Sequence, residues 1–557
     1  MTAVDELTWH AVGPVEDVGN AVLHRADVDG RTVCVGRLEG DWVAFDDTCT
    51  HEECSLSEGE LDGAVVVCPC HGSEFDIRTG DVLSPPALEP LPIYEAREDA
   101  GIVRVRFTAP AAAADAVHER EDHVPESVAR QATVAGPSLE GLALDDVDLT
   151  DLDVWEERVP YEWLGLLRRK APLHWHPQGD GRGFWVFTRY DDVVDVSKNW
   201  ETYSSELGGT SLQDLTPDEL EARKSMLDTD PPAHTRMRAI VNKGFTPRVV
   251  NMYEERIRGL ARDILARAFE KPEFDWVEDV ASEIPMWVFS EIMGLPVDDR
   301  KLLIELGDKL LGNSDPDVVG ADYVEERALN DPELRKLPFS SPFALDLIEY
   351  GSRLGEARRR EPRDDITTKL VEADLDGSKL TEREFGTFFI LLTTAGNETT
   401  RHTISLGLLD LLEHPDEAAR LAADRALAGS AADEILRRAH PVHHFRRTAT
   451  RDVTVHGRRI AAGDKVTFWY ASGNFDEERF PDPYRLDVGR TPNRHLSFGL
   501  GGPHFCLGAH LAKLEVKIWL EEMIPYLHRI ELAGQPVRLR SNMFHGIKRL
   551  PVRVVAA

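Results

Sequence analysis

At 557 residues, with 42% hydrophobic and 29% charged side chains, the chain is several times the size of one small domain and has ample apolar material for a core. That excludes both a single small domain and wholesale disorder. The 99 Asp+Glu against 64 Lys+Arg give a formal charge of -35, so nucleic acid is not an expected partner. No apolar run approaches the roughly 18 to 20 residues of a membrane span, and MTAVDELTWH has no apolar signal core, so a cytoplasmic protein with no membrane span is expected.

Residues 1–107 alternate apolar and polar in short segments, RTVCVGRL, DWVAFDD, AVVVCPC and GIVRVRF, separated by Gly and Asp turns, which predicts a small antiparallel β domain. Five of the six cysteines, Cys34, Cys49, Cys54, Cys68 and Cys70, lie here, and in a reducing compartment such clustering points to metal or redox chemistry before a disulfide framework. Cys49-Thr50-His51 and Cys68-Pro69-Cys70-His71 present two thiols and two imidazoles from two tight loops. That donor set suits a tetrahedral zinc or a two-iron cluster, and the spacing alone does not choose. Together with Gly72-Ser73-Glu74-Phe75-Asp76, Thr79-Gly80 and Ser84-Pro85-Pro86, however, the segment resembles the Rieske ferredoxins.

The resemblance implies a [2Fe-2S] cluster with Cys49 and Cys68 on one iron and His51 and His71 on the other. It also implies that the Ser73 hydroxyl bonds a bridging sulfide, whereas Phe75 replaces a Tyr of high-potential relatives, so a low potential within the Rieske range is expected. Cys54 and Cys70 match a pair that is disulfide-linked in some Rieske proteins. A reducing cytosol argues against the bridge, and the sequence leaves it open. Cys34 reads as a core residue of a strand.

Residues 108–145, rich in Ala, Pro and charge without apolar periodicity, read as a linker. A flexible tether of this length would make docking of its two ends intramolecular.

Residues 146–557 read as mainly helical, with β structure near Arg447 to Ser472 and at the C-terminus. Asp230-Pro231-Pro232-Ala233-His234 opens a helix that sets His234 and Arg238 four apart, suited to an anionic group. Ala395-Gly396-Asn397-Glu398-Thr399-Thr400 interrupts an apolar helix with Gly and polar side chains, at a cost that requires a reason. Glu434 and Arg437 lie three apart on one helical face, able to pair with each other and with Arg485. Finally, FGLGGPHFCLG places Cys506 on a Gly-rich loop running into a helix, where the backbone can approach a flat ligand and a thiolate is favoured.

In that order the four segments resemble cytochrome P450. The resemblance implies haem b with Cys506 as axial thiolate, and His234, Arg238, Arg447 and His504 on the propionates. Glu398 and Thr399 would be the acid and alcohol that deliver protons to dioxygen, with Gly396 opening the helix, and Glu434, Arg437 and Arg485 a structural ion network. Phe498 lies eight residues before Cys506, one more than is common, a spacing shared with a bacterial branch that hydroxylates sterol side chains and methyl-branched lipids. AGNETTRH, FWYASGNFDEERFPDP, GNSDPD and FHGIKRLPV resemble the same branch.

The expected architecture is therefore a small all-β Rieske domain followed by a mainly α cytochrome P450 fold with minor β-sheets. The expected activity is hydroxylation of an apolar steroid-like, terpenoid or branched-lipid substrate with dioxygen, the fused cluster passing electrons singly to the haem. No nicotinamide or flavin fingerprint is present, so a separate NAD(P)H-dependent, FAD-containing ferredoxin reductase is implied. Two other readings are a peroxide-driven hydroxylase or desaturase with a structural cluster, and a redox or gas sensor; retained Glu398 and Thr399 argue against both. Lys513 and Lys517 could dock the acidic first domain or be ordinary solvated side chains.

Overall fold

The computed structural model describes residues 9–555 apart from 19–22, 39, 51–54, 59, 69–72, 85–86, 88, 108–135, 180–181, 243, 321–330 and 376–377. It comprises a smaller N-terminal unit and a larger C-terminal unit.

The N-terminal unit is built on a six-stranded antiparallel sheet. Its strands run, in spatial order, His10–Pro14, Ile102–Arg106, Ile93–Asp99, Asp41–Asp46, Arg31–Leu38 and Leu23–Val28. Alternation along Arg31–Leu38 sends successive side chains to opposite faces. Val33 and Val35 enter one apolar cluster with Ala44, Tyr94, Val103 and Val105. Cys34, opposite Phe45, enters the other, with Cys49, Cys68, Val66 and Phe75. Cys34 is thus a core residue, its thiol pushed up by burial and then by Asp47. A second, four-stranded sheet, Glu60–Asp62, Val65–Val67, Glu74–Asp76 and Val82–Ser84, supplies Val66 and Phe75 to that second cluster and carries Cys68 directly after its second strand.

The C-terminal unit is organised by the 32-residue helix Glu382–Glu413, begun by Thr381, whose hydroxyl and Glu384 form a reciprocal cap. At 1.5 Å per residue it is about 48 Å long. Helix Phe343–Arg360 lies against it at Gly351 and Gly355, where a Cβ would stand 2.9 Å from the rings of Phe389 and Phe385. Gly407 likewise admits Ile435 of helix Ala428–Ala439 and Trp519 of helix Ala509–Met523. A five-stranded sheet, in the order Leu173–His176, Phe184–Phe187, Lys465–Trp469, His444–Ala449 and Tyr203–Ser204, has one parallel pair, Phe184–Phe187 with Lys465–Trp469. Leu139, Leu142 and Leu144, at the end of the segment read as a linker, pack on the cluster of Leu149, Trp155, Leu164 and Trp469. No helix among the described residues is long and apolar enough to cross a membrane.

Glu434 and Arg437 are fully buried and joined by two hydrogen bonds, 2.8 and 2.9 Å. Arg437 also donates to the carbonyls of Asn474 and Pro483. The third side chain expected there was Arg485, but the guanidinium on Glu434 is Arg490, at 3.0 Å, joined by the Asn493 amide at 3.1 Å. Arg485 stands 3.9 Å from Glu417. A turn between Arg485 and Arg490, closed by the Asp487 N–H on Glu434, brings the later arginine inward.

Candidate functional site

In the N-terminal unit Cys49 and Cys68 are each 2% exposed and share one apolar cluster. Each stands at the base of a loop whose ends are tied. Thr48 bridges Ser55, and buried Asp47 accepts from the Ser55 hydroxyl at 2.6 Å and the Ser57 N–H at 2.7 Å. In the other loop the Cys68 N–H donates to the Ser73 carbonyl at 2.8 Å. The buried Ser73 hydroxyl accepts from the Ala87 N–H at 2.9 Å, while its own proton remains to donate. Thr50 donates to the Glu89 carbonyl at 2.7 Å, tying the first loop to the segment that holds Ala87. Gly80, at φ +82°, lies where a Cβ would collide with the Leu91 carbonyl, which explains the glycine of Thr79-Gly80. His51, His71, Cys54, Cys70, Pro85 and Pro86 lie outside the described residues.

In the C-terminal unit, His234 and Arg238 share helix Ala233–Asn242, and Arg447 lies in strand His444–Ala449. All three are buried. They are close enough for charge to be felt between them: His234 is pushed down to about 3 by burial, then by Arg238 and Arg447. Burial pushes the Cys506 thiol up, while the Gly508 N–H and Arg238 pull it back. Tyr470, buried and pushed up to about 12, feels Arg447 and Cys506 as well. The Cys506 N–H donates to the Phe498 carbonyl at 2.9 Å, which closes the loop before helix Ala509–Met523. His504 lies two residues before Cys506 on this loop. Elements distant in the sequence thus bring one thiol and two guanidiniums together. That chemistry fits a metal porphyrin with two carboxylates.

The long helix is buried through its middle except along Leu391, Leu392, Ala395, Gly396 and Thr399, which share one helical face at i, i+1, i+4, i+5 and i+8. A Cβ on Gly396 would have only Phe289 within 4 Å, at 3.8 Å, so this stripe borders open space. The helix runs unbroken through Gly396 instead of opening there; the Thr399 hydroxyl donates back to the Ala395 carbonyl at 2.7 Å beside an intact ladder. Glu398 is 1% exposed. Its carboxylate receives the Asn397 amide at 2.9 Å and pairs with Arg401, which also holds Asp308 of helix Arg300–Leu311. Burial chiefly holds the Glu398 carboxyl above the usual range, Arg401 opposing and Asp308 adding to the shift.

The Asp308–Arg401 part of this cluster was not found from the sequence. Arg401 and His402 follow the AGNETT signature, but Asp308 sits on another helix and carries no local signal. Lys513, a candidate docking residue, is paired with Asp433 at 3.0 Å, and Lys517 lies 3.9 Å from Glu521.

Comparison with known proteins identifies two domains in the chain. Residues 8–95 match the Rieske [2Fe-2S] domain and residues 174–541 match cytochrome P450. A steroid C26-monooxygenase of Rhodococcus jostii is 35% identical over 464 residues, covering 81% of this chain and 93% of that enzyme. A methyl-branched lipid omega-hydroxylase of Mycobacterium bovis is 38% identical over 419 residues, covering 73% and 94%. Among solved structures, a Mycobacterium marinum cytochrome P450 in complex with pseudoionone is similar with TM-score 0.67 and 35% identity, covering 74% of this chain and 100% of that one. The chain belongs to the cytochrome P450 monooxygenase family and carries a Rieske [2Fe-2S] domain at its N-terminal end.

Proposed function

We propose that the protein hydroxylates an apolar substrate of the steroid or methyl-branched lipid class with dioxygen, and that its own Rieske cluster is the immediate electron donor to its haem. A separate NAD(P)H-dependent flavin reductase supplies the cluster. The observation that carries this reading is the presence in one chain of both donor sets, Cys49 and Cys68 at the bases of two tied loops and Cys506 within the electrostatic reach of Arg238, which with Arg447 acts on buried His234.

Cys506 would hold haem b, with His234, Arg238, Arg447 and His504 on its propionates; Cys49, Cys68, His51 and His71 would hold the cluster. When bound, the thiolate-ligated haem supplies dioxygen activation and the cluster supplies single electrons. The protein's own residues do the rest. Cys506 gives up its proton on ligation, and the Gly508 N–H remains to stabilise the anion. Leu392, Ala395 and Gly396 present an apolar wall to the open space, consistent with a hydrocarbon substrate. Glu398 holds a proton in reserve and Thr399 offers a hydroxyl on the accessible stripe. The relatives' printed substrates, together with that wall, support the steroid or branched-lipid class over other apolar ligands.

The test combines spectra with turnover. The reduced, carbon monoxide-bound protein is expected to give a haem-thiolate absorption that Cys506→Ser removes, and electron paramagnetic resonance a Rieske signal that Cys68→Ser removes. With a ferredoxin reductase, NADPH and a panel of steroids and methyl-branched lipids, wild type should hydroxylate those that shift the haem spin state. Wild-type turnover by Cys68→Ser would overturn the electron route, and a panel without a spin shift would overturn the substrate class.

A further inference from the structure

The carboxyl of Glu398 is enclosed from two helices. On its own helix, Asn397 donates to Oε1, Arg401 pairs with Oε2 and His402 Nε2 stands 3.9 Å away. His402 in turn packs on Gly546, where a Cβ would be 2.7 Å from the imidazole, beside His545. On the facing helix Arg300–Leu311, Gly307 leaves room for the acid: a Cβ there would lie 3.2 Å from Glu398 Oε1. The next residue, Asp308, shares the Arg401 guanidinium with Glu398 and is within hydrogen-bond reach of its carboxyl.

The two acids differ in access. Glu398 is 1% exposed, whereas the Asp308 side chain is 36% exposed. Lys301, Glu305 and Asp308 follow one another at i, i+4 and i+7, and the first two are exposed, so this is the outward stripe of the helix. Asp308 therefore meets water on one side and a buried acid on the other. Two carboxyls on one guanidinium repel each other as anions, and a single shared proton turns that repulsion into a hydrogen bond.

We propose that Asp308 is the solvent-side proton relay of Glu398. This rests on Glu398 being the proton source in the function proposed above. Once Glu398 has given up its proton, Asp308 takes one from a hydronium ion, which leaves as water. Its O–H bond breaks as the Glu398 O–H bond forms, leaving an Asp308 anion held by Arg401, which restores the singly protonated pair, and the cycle repeats for each further proton. One proton moves at each step and no electron.

The test compares Asp308→Asn, Asp308→Ser and Asp308→Glu with Glu398→Gln in the holoenzyme, using a ferredoxin reductase and a steroid or methyl-branched lipid that shifts the haem spin state. Asp308→Asn and Asp308→Ser should bind that substrate with an unchanged spin shift yet form product about tenfold more slowly, because water replaces the relay only inefficiently. They should also divert more reducing equivalents to hydrogen peroxide and show a larger solvent deuterium isotope effect, all restored by Asp308→Glu. Independently of turnover, the Glu398 carboxyl stretch, assigned by its loss in Glu398→Gln, should titrate at lower pH in Asp308→Asn. Wild-type coupling and isotope effect in both neutral variants, with Glu398→Gln impaired, would overturn the relay alone. Full coupled turnover by Glu398→Gln would overturn the proton role of Glu398 and the relay with it.

Discussion

The two thiol-bearing centres are built over opposite ranges of the chain. Cys49 and Cys68 are set by loops that begin and end within residues 47–73, closed by hydrogen bonds between near neighbours. Cys506 feels Arg238, and Tyr470 feels both Cys506 and Arg447, only because a helix, a strand and a loop from distant parts of the sequence converge. A site of the first kind depends on the integrity of its loops, whereas one of the second kind depends on the packing that holds its elements in register. Perturbing loop anchors should therefore damage the first unit, and perturbing buried struts the second.

The largest effect is expected at Arg437. Replacing it with Met removes both hydrogen bonds to Glu434 and those to the carbonyls of Asn474 and Pro483, leaving a buried carboxylate on Arg490 and Asn493. Breaking a buried pair from one side costs about 3 to 5 kcal/mol. Denaturant unfolding followed by loss of the haem absorption should show this, with the Rieske signal of the first unit unchanged. A cost below about 1 kcal/mol would mean the strut is dispensable.

The counterpart in the first unit is Asp47→Ala. It leaves the Ser57 N–H and the Ser55 hydroxyl without their acceptor at the base of the Cys49 loop, at about 1 to 3 kcal/mol. The expected outcome is faster loss of the Rieske signal on mild heating, with haem absorption retained. Equal losses in both units would contradict the local character of this centre.

The same contrast decides what could be read in the sequence. The Cys-x-His and Cys-x-x-His loops, the Ser73 and Gly80 positions and the alternation of Arg31–Leu38 are local patterns, and the two sheets follow from them. In the larger unit each candidate residue was singled out within its own segment, since His234, Arg238, Glu398 and Cys506 sit in short signatures. Legibility failed where the partner comes from elsewhere. Arg490 replaced Arg485 on Glu434 because a turn decides which of two nearby arginines points inward. Asp308 lies on an ordinary amphipathic helix, and only packing at Gly307 gives it meaning. Gly396 suggested a broken helix, but the absence of a side chain serves the open space beside it.

A smaller effect separates the units by pH. Buried His440 and His444 are pushed down to about 3, and His402, His443 and His545 well below their usual value, burial being the main cause in each. An unfolded histidine takes up its proton near pH 6.5, so below that pH the unfolded chain binds more protons than the folded one. The stability these groups contribute is complete above 6.5 and is lost as pH falls toward their folded values, at about 1.4 kcal/mol per pH unit for each histidine. His443 stacks on His545 at 5.1 Å and tilts against Trp155 at 4.4 Å. His443→Phe keeps that ring contact without the titration. Between pH 6 and 5 the variant should lose stability less steeply than wild type, by about 1.4 kcal/mol per unit; an unchanged slope would mean His443 is not held neutral.

The smallest effect is expected at Lys513, and its size follows from where the charge sits. Arg437 has no water to fall back on, whereas the Lys513 side chain is 43% exposed and its bond to Asp433, at 3.0 Å, competes with solvation at every moment. Asp433 has a second neighbour, His495 at 3.6 Å, so removing the lysine does not leave the carboxylate isolated. Lys513→Ala should therefore change the unfolding free energy of the C-terminal unit by no more than about 1 kcal/mol, less at high salt. A larger loss, insensitive to salt, would mean that this surface pair acts as a buried one and that the division between local anchors and packed struts extends to the surface of the larger unit.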